Sequence, residues 1–289
     1  MATTLAVIGG SSAHTLLAKG LTITERLGPR RTPYGNSQPI FRVQREQVEF
    51  LFLPRHGEKG YTTAASWVNY RANIYALKDL GVERIISWSG PGAINAKYAV
   101  GQFVIPHDVL DETRLRKTTF FEGKGIGFVR QNPVFCPSLR ATLLGAFQQL
   151  NLPHSDGGVY VCTEGPRLET AAEIRKYALL GADLVGMTLC PEVFLARELE
   201  ICYAPICYVT NYAEGVCPRT AFEPGRLFEG LASEEELDAV ALMIAKFPDI
   251  LYATGRLLDG QPRNCPCPRL MERYRKRGDI GPDWRTWIS

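Results

Sequence analysis

Again and again along this chain a short apolar run stops at a loop of small and polar residues. Runs of this kind cover residues 5–8, 48–53, 84–88, 159–162, 182–186 and 204–209. Stretches between them, at 64–80, 139–150, 170–180 and 234–253, carry apolar residues at helical spacing. Strands alternating with helices define an α/β fold, and in such folds ligands collect beyond the carboxyl ends of the strands. The loops in question are Gly9-Gly10-Ser11-Ser12, Pro54-Arg55-His56-Gly57, Ser89-Gly90-Pro91-Gly92, Glu164-Gly165-Pro166-Arg167, Met187-Thr188 and Thr210-Asn211-Tyr212. Their chemistry is uniform: glycines that admit close backbone approach, hydroxyl donors, and one arginine beside a histidine. A guanidinium matches a phosphate in a bidentate way, so Arg55 and His56 read as an anion site. The alternative for each loop alone is an ordinary tight turn or a surface salt bridge.

The run 182–186 is the most informative, because it ends at Met187 and Thr188 and turns directly into a helix. Pro191 suits a first helical turn, and Glu192 adds charge that the positive helix end favours. Residues 28–39 and 111–135 read as irregular. Phe120, Phe121 and Phe128 follow no period in the second of these; they suit a core, a ligand or a neighbouring subunit equally.

The 289 residues are 45% hydrophobic with a net charge of +3, enough for a sizeable core and no argument for an acidic partner. The first residues read as a strand rather than a signal peptide, and no apolar run is long enough to span a bilayer. A soluble cytoplasmic protein is expected. Of eight cysteines, Cys136, Cys162, Cys190, Cys202 and Cys207 lie in or beside apolar segments, as small core residues do. Cys265 and Cys267 form a Cys-x-Cys pair with no second Cys or His pair nearby in sequence, which is a weak metal signal. Free thiols are favoured there over a redox-sensitive disulfide, and both over zinc. The chain changes character after Leu257, becoming basic and rich in proline. It divides into a domain at 1–257 and an extension at 258–289, read as solvated and packing on a neighbouring subunit rather than binding nucleic acid.

Taken together, Gly9-Gly10-Ser11, Pro54-Arg55-His56-Gly57, the run from Val68 to Leu77, Glu164-Gly165-Pro166-Arg167, Gly186-Met187-Thr188 and Pro191-Glu192-Val193 resemble the trimeric purine nucleoside phosphorylase and methylthioadenosine phosphorylase family. The resemblance spans roughly residues 4–253. It implies a three-layer α/β/α fold with a mixed central sheet and a distorted barrel. It implies reversible transfer of a pentosyl group from a purine to inorganic phosphate, with no metal and no organic cofactor, in a homotrimer or a dimer of trimers. Its phosphate ligands fall on Ser11, Arg55, His56, Ser89, Gly90 and Thr188; the family usually has Ala at the position of Gly90. Its sugar and base contacts fall on Met187, Leu168, Glu169, Asn211 and Ala213, with Asn211, Glu169 and His56 as the groups closest to the chemistry.

Glu169 and Asn211 together favour a 6-oxopurine. An ionised Glu accepts from N1–H, and an Asn amide donates to O6 or N7, whereas adenine presents the reverse pattern at N1 and N6. At the sugar's 5′ end the family's histidines have no counterpart near 231–237 or 127–130. Both 5′-hydroxyl and 5′-methylthio substrates therefore stay open, S-methyl-5′-thioinosine and S-methyl-5′-thioadenosine among the latter. The reading from another class is a non-catalytic nucleoside-binding regulator, which the intact set Ser11, Arg55, His56 and Thr188 argues against.

Overall fold

The computed structural model describes residues 4–217, Gly225 and residues 233–288. An eight-stranded mixed sheet crosses the molecule. In spatial order its strands are His154–Asp156, Phe103–Ile105, Cys202–Tyr208, Arg84–Ser89, Leu5–Gly9, Val48–Pro54, Ile40–Arg45 and Ile23–Gly28. The central strands run parallel, with Val7 beside Phe52 and Ala6 beside Ile85. Leu5–Gly9 and Arg84–Ser89 are buried at every residue, as strands covered on both faces must be. The twofold alternation of side chains sorts these strands onto two cores. Ala6, Ile8, Leu51, Leu53 and Ile85 face helices Tyr70–Asp79 and Glu192–Glu198. Leu5, Val7, Phe50, Phe52, Ile86 and Trp88 face helices Ala13–Lys19, Pro137–Gln149 and Glu234–Leu258. The expected layering of helices, sheet and helices is what the chain adopts.

A second sheet of five short strands positions the site. Its order is Asp108–Glu112, Val159–Thr163, Leu184–Gly186, Gly92–Ala93 and Asn211–Tyr212. Two strands of the large sheet feed it. Arg84–Ser89 passes through Gly90 and Pro91 into Gly92–Ala93, and Cys202–Tyr208 passes through Val209 and Thr210 into Asn211–Tyr212. The sheets part at these crossings, and the polar loops gather there.

Several local expectations are corrected. The helix expected over 64–80 starts only at Tyr70, because the Asn69 side chain accepts the Ala72 N–H and caps it. Ala65–Trp67 is a separate single 3-10 turn that leaves Trp67 80% exposed. The stretch 28–39 contains the two-stranded hairpin Arg31–Thr32 and Gly35–Asn36. Strands Ile23–Gly28 and Ile40–Arg45 flank it, and Asp108–Glu112 reaches into the stretch read as irregular. Phe120 and Phe121 are core residues, whereas Phe128 is 80% exposed. Pro191 is the N-cap rather than the first helical residue, and Glu192 is buried in an ion pair. Leu231 and Ala232, with most of the loop before them, lie outside the described residues.

The tail beyond Leu257 packs on its own chain, not as a solvated extension. Met271, Tyr274 and Trp287 are core residues of the large sheet's helix-covered face. Three of its arginines pair with acids in the rest of the chain: Arg275 with Glu200, Arg263 with Glu83 and Arg285 with Asp79. Each large apolar side chain buried contributes about 1.5–3 kcal/mol, so the tail carries a sizeable share of the total stability. A chain ending at residue 257 is expected to melt at least 10 °C lower or to accumulate as insoluble protein, at roughly 2–4 °C per kcal/mol. Calorimetry checks this; melting within a few degrees of the full chain shows that the tail is dispensable.

Candidate active site

The register of the small sheet lines up one edge of the site. Cys162 pairs with Gly186, Val185 with Gly92, and Gly92 with Asn211. Thr163, Met187, Thr188 and Asn211 therefore emerge at one end of that sheet, where Ser89 and Tyr208 end their strands in the large one. Ser11 follows Leu5–Gly9 and is exposed, while Arg55 and His56 follow Val48–Pro54 and are buried. The loops read as site elements from the sequence are thus brought to one region.

Three hydroxyls form a chain. Thr188 Oγ1 donates to Ser89 Oγ at 3.2 Å, Ser89 Oγ lies 3.0 Å from Tyr160 Oη, and the Thr188 N–H donates to Tyr160 Oη at 3.4 Å. With Tyr160 donating to Ser89, the Ser89 proton is free for an anion. Tyr160 is fully buried, and burial holds its phenol protonated well above the ordinary range. In sequence a tyrosine inside a buried strand looks like core, so nothing there marks Tyr160 as a site residue.

Arg55 is fully buried and engaged. Its Nε and Nη2 grip the two oxygens of Glu192 at 2.8 and 2.9 Å, Nη2 also donates to Ser87 Oγ at 2.5 Å, and Nη1 to the Trp88 carbonyl at 3.3 Å. Glu192 further accepts from Ser87 at 2.8 Å and Tyr203 at 2.6 Å. One Nη1 hydrogen is left without an acceptor among the described residues. Since Glu192 offsets its charge, Arg55 offers the site a directed donor more than an unopposed cation.

His56 stacks on Tyr61 with ring centroids 4.2 Å apart. Its Nδ1 lies 2.8 Å from the Thr63 carbonyl, which only accepts, so Nδ1 carries the proton. Burial pushes its pKa down to about 4, with the Arg55 cation adding to the effect and the Thr63 hydrogen bond opposing it. The ring is neutral at pH 7 and Nε2 is a free base, suited to accept a hydrogen from a partly protonated phosphate.

Asn211 is 6% exposed. Thr210 Oγ1 donates to its Oδ1 at 2.8 Å, and its Nδ2 donates to the Tyr212 carbonyl at 2.9 Å. These two bonds fix the amide orientation and leave one N–H free among the described residues. Glu169 is half-buried and accepts from the Thr163 hydroxyl; burial raises its pKa against that hydrogen bond. Leu168 and Met187 are half-buried, and Ala213 is buried. A cleft of about 300 Å³ opens beside Glu169, lined also by Glu112, Arg114, Glu164 and Arg167. A larger one, about 370 Å³, lies away from this chemistry beside Cys136 and Cys202.

Arg116 has no counterpart in the sequence reading. From the irregular stretch it donates to the carbonyls of Thr163, Glu164, Met187 and Cys190 and to Tyr70 Oη, and pairs with Glu164. It thereby ties the loop bearing Glu169 to the loop bearing Thr188. The glycines also differ from their expected use. A Cβ on Gly9 would lie 2.7 Å from Phe52, so this glycine serves core packing. A Cβ on Gly90 would lie 2.7 Å from Thr210 Cγ2 and 3.0 Å from the Tyr208 ring. That explains the departure from the family's Ala: Tyr208 and Thr210 occupy the space.

The phosphorylase superfamily profile matches residues 4–244, and the chain belongs to that family. It is 42% identical over 251 residues to the 6-oxopurine nucleoside phosphorylase of Pyrococcus furiosus, covering 84% of this chain and 92% of that one. It is 40% identical to a probable S-methyl-5′-thioinosine phosphorylase of Methanothermobacter thermautotrophicus, covering 92% and 88%. Among solved structures, it superposes with a TM-score of 0.77 and 30% identity on a methylthioadenosine phosphorylase from an antarctic soil metagenomic library, covering 93% and 91%. Among the described residues, no helix is long and apolar enough to cross a membrane.

Proposed function

We propose that this chain cleaves 6-oxopurine nucleosides, such as inosine and guanosine, with inorganic phosphate, giving the free base and a pentose 1-phosphate. It is a pentosyltransferase, and phosphate is its substrate rather than a cofactor. What supports the reading is the row Val161, Val185, Gly92 and Asn211 of the small sheet, just beyond whose end Thr163 and Thr188 follow, Thr188 hydrogen-bonded to Ser89. Phosphate is held beneath the sugar by Ser11, Ser89, Thr188, the Gly90 N–H and the spare Arg55 donor, with His56 Nε2 accepting. Held there, an oxygen of the dianion attacks C1′ as the bond to N9 breaks and positive charge develops on the ring. The departing base gains negative charge at N7 and O6, where the free Asn211 N–H points its hydrogen bond. Ionised Glu169 accepts from N1–H, and Met187, Leu168 and Ala213 line the sugar and base.

The chain is a homotrimer or a dimer of trimers in this proposal. Exposed Trp67, Leu115 and Phe128 supply apolar surface for such contacts. A second reading, S-methyl-5′-thioinosine as substrate, is favoured by the 40%-identical relative of that name and by the missing histidine near the last long helix.

The test is a substrate panel of inosine, guanosine, adenosine, S-methyl-5′-thioadenosine and S-methyl-5′-thioinosine, each with and without phosphate. Inosine and guanosine are expected to turn over only with phosphate, at least tenfold faster than adenosine. Base release unaffected by phosphate overturns the proposal. S-methyl-5′-thioinosine outpacing inosine moves the assignment to the second reading.

A further inference from the structure

Cys136, Cys202 and the Cys265–Cys267 pair, three places far apart in sequence, meet at the end of the large sheet's strands remote from the site. The sulfurs of Cys136, Cys202, Cys265 and Cys267 all lie within 4.8 Å of one another, and those of Cys202 and Cys265 are 3.4 Å apart. All eight cysteines are free thiols. We propose that these four sulfurs form a tetrahedral binding site for one structural zinc ion that locks the C-terminal tail to the sheet. Zinc–sulfur bonds of about 2.3 Å set tetrahedral sulfurs about 3.8 Å apart, so the cluster closes on an ion with small side-chain shifts. Four thiolates with no other donor select zinc over the harder divalent ions.

The surroundings are built for negative charge. Cys136 is the N-cap of the thirteen-residue helix Pro137–Gln149, and its sulfur accepts the Leu139 N–H at 3.5 Å. Helix N-termini stabilise thiolates. Arg84 and Arg263 line the adjoining cleft, which gives an ion an entry path. Arg197 is buried, its Nη1 and Nη2 donate to the Val134 and Arg130 carbonyls, and its Nε has no hydrogen-bond partner among the described residues. Zn²⁺ replaces four S–H protons, leaving a complex of charge −2 that nearby cations favour and releasing four protons to solvent.

The elements joined explain the purpose. Cys202 opens a central strand, Cys136 starts a helix packed on it, and Cys265 and Cys267 sit just before Met271, Tyr274 and Trp287 enter the core. Cys202 lies at the opposite end of its seven-residue strand from Tyr208, about 20 Å from the nucleoside site at ~3.3 Å per residue. The ion therefore stabilises the tail without touching the chemistry. This departs from the metal-free chain expected from sequence, in which Cys265 and Cys267 lack a second pair nearby in sequence and Cys136 and Cys202 suit the core.

The experiment is metal analysis of the full chain purified under reducing conditions and dialysed against metal-free buffer, with thiol titration after denaturation. About one zinc per chain is expected, with eight titratable thiols once a chelator removes it. Cys265→Ser with Cys267→Ser is expected to bring zinc below about a tenth per chain and lower the melting temperature by at least 5 °C, while inosine turnover at 25 °C stays within twofold. Cys136→Ser keeps a good helix cap, so it folds, yet it should also bind zinc at least tenfold more weakly. Cobalt loaded in place of zinc should give the visible bands of a tetrahedral thiolate site, lost in both variants. Metal-free protein with eight free thiols, four thiols missing as disulfides, iron in place of zinc, or zinc retained in the double variant each overturns the proposal.

Discussion

Arg55→Ala is expected to lower phosphorolysis by two to three orders of magnitude and, separately, to destabilise the fold by about 3–5 kcal/mol. The two effects have different origins. The first is loss of a charge-assisted donor to phosphate, worth about 2–4 kcal/mol in the transition state. The second arises because Glu192 is 1% exposed and would be left buried without its cation. Adding Glu192→Gln removes the stranded charge while keeping acceptors for Ser87 and Tyr203. The double variant should therefore regain at least half of the lost stability and none of the lost activity. Calorimetry gives the first quantity, and initial rates against phosphate concentration give the second, with the defect concentrated in phosphate use rather than nucleoside use. Recovery of both in the double variant shows that Arg55 only holds the fold, and the phosphate assignment then passes to the hydroxyls of Ser11, Ser89 and Thr188.

Much of this arrangement could be read from the chain because it depends on local signals. The buried runs ending at Gly9, Pro54 and Ser89 have strand composition, and small polar residues follow each one. Thr170 with Glu173 is a capping box readable from spacing alone, and the helix begins there as expected. What escaped depends on partners far away. Arg116 sits in a stretch without periodicity, and its acceptors are backbone carbonyls some 47 to 74 positions further on, which no sequence pattern marks. Glu192 looked like a helix-start acid because its partner lies 137 positions earlier. The tail looked solvated because its arginines dominate its composition, yet Arg263, Arg275 and Arg285 reach acids on the core while Tyr274 and Trp287 turn inward. The start of the Tyr70–Asp79 helix is a different failure: apolar spacing runs on across Trp67 and Val68, although the Asn69 side chain caps the helix after them.

The specificity of the base site is expected to change most with Asn211→Asp. In the native chain Thr210 donates to Asn211 Oδ1, and Nδ2 donates to the Tyr212 carbonyl, leaving the second amide hydrogen without an acceptor among the described residues. A carboxylate keeps the Thr210 bond but sets its other oxygen against the Tyr212 carbonyl and against O6, two acceptors facing an acceptor in a buried position. Inosine kcat/KM should fall about 100- to 1000-fold, in line with losing an oxyanion-type donor. The new carboxylate accepts from the N6 amine of adenine, or takes a proton and donates to N7, so adenosine loses far less. The adenosine-to-inosine ratio should rise at least tenfold in the single variant. It stays incomplete there because Glu169 still opposes the N1 lone pair of adenine. Glu169→Ser removes that opposition, and the Thr163 hydroxyl it releases retains the Gly186 carbonyl, 3.4 Å away, as acceptor. The double variant should therefore prefer adenosine by a further factor of about ten or more, the discrimination expected when a pocket's buried polar groups go from unpaired to paired. Steady-state kcat/KM for both nucleosides on the two single variants and the double variant measures each step. A ratio unchanged across all three means that Asn211 and Glu169 do not read the base, and substrate choice must then be set on the sugar side of the site.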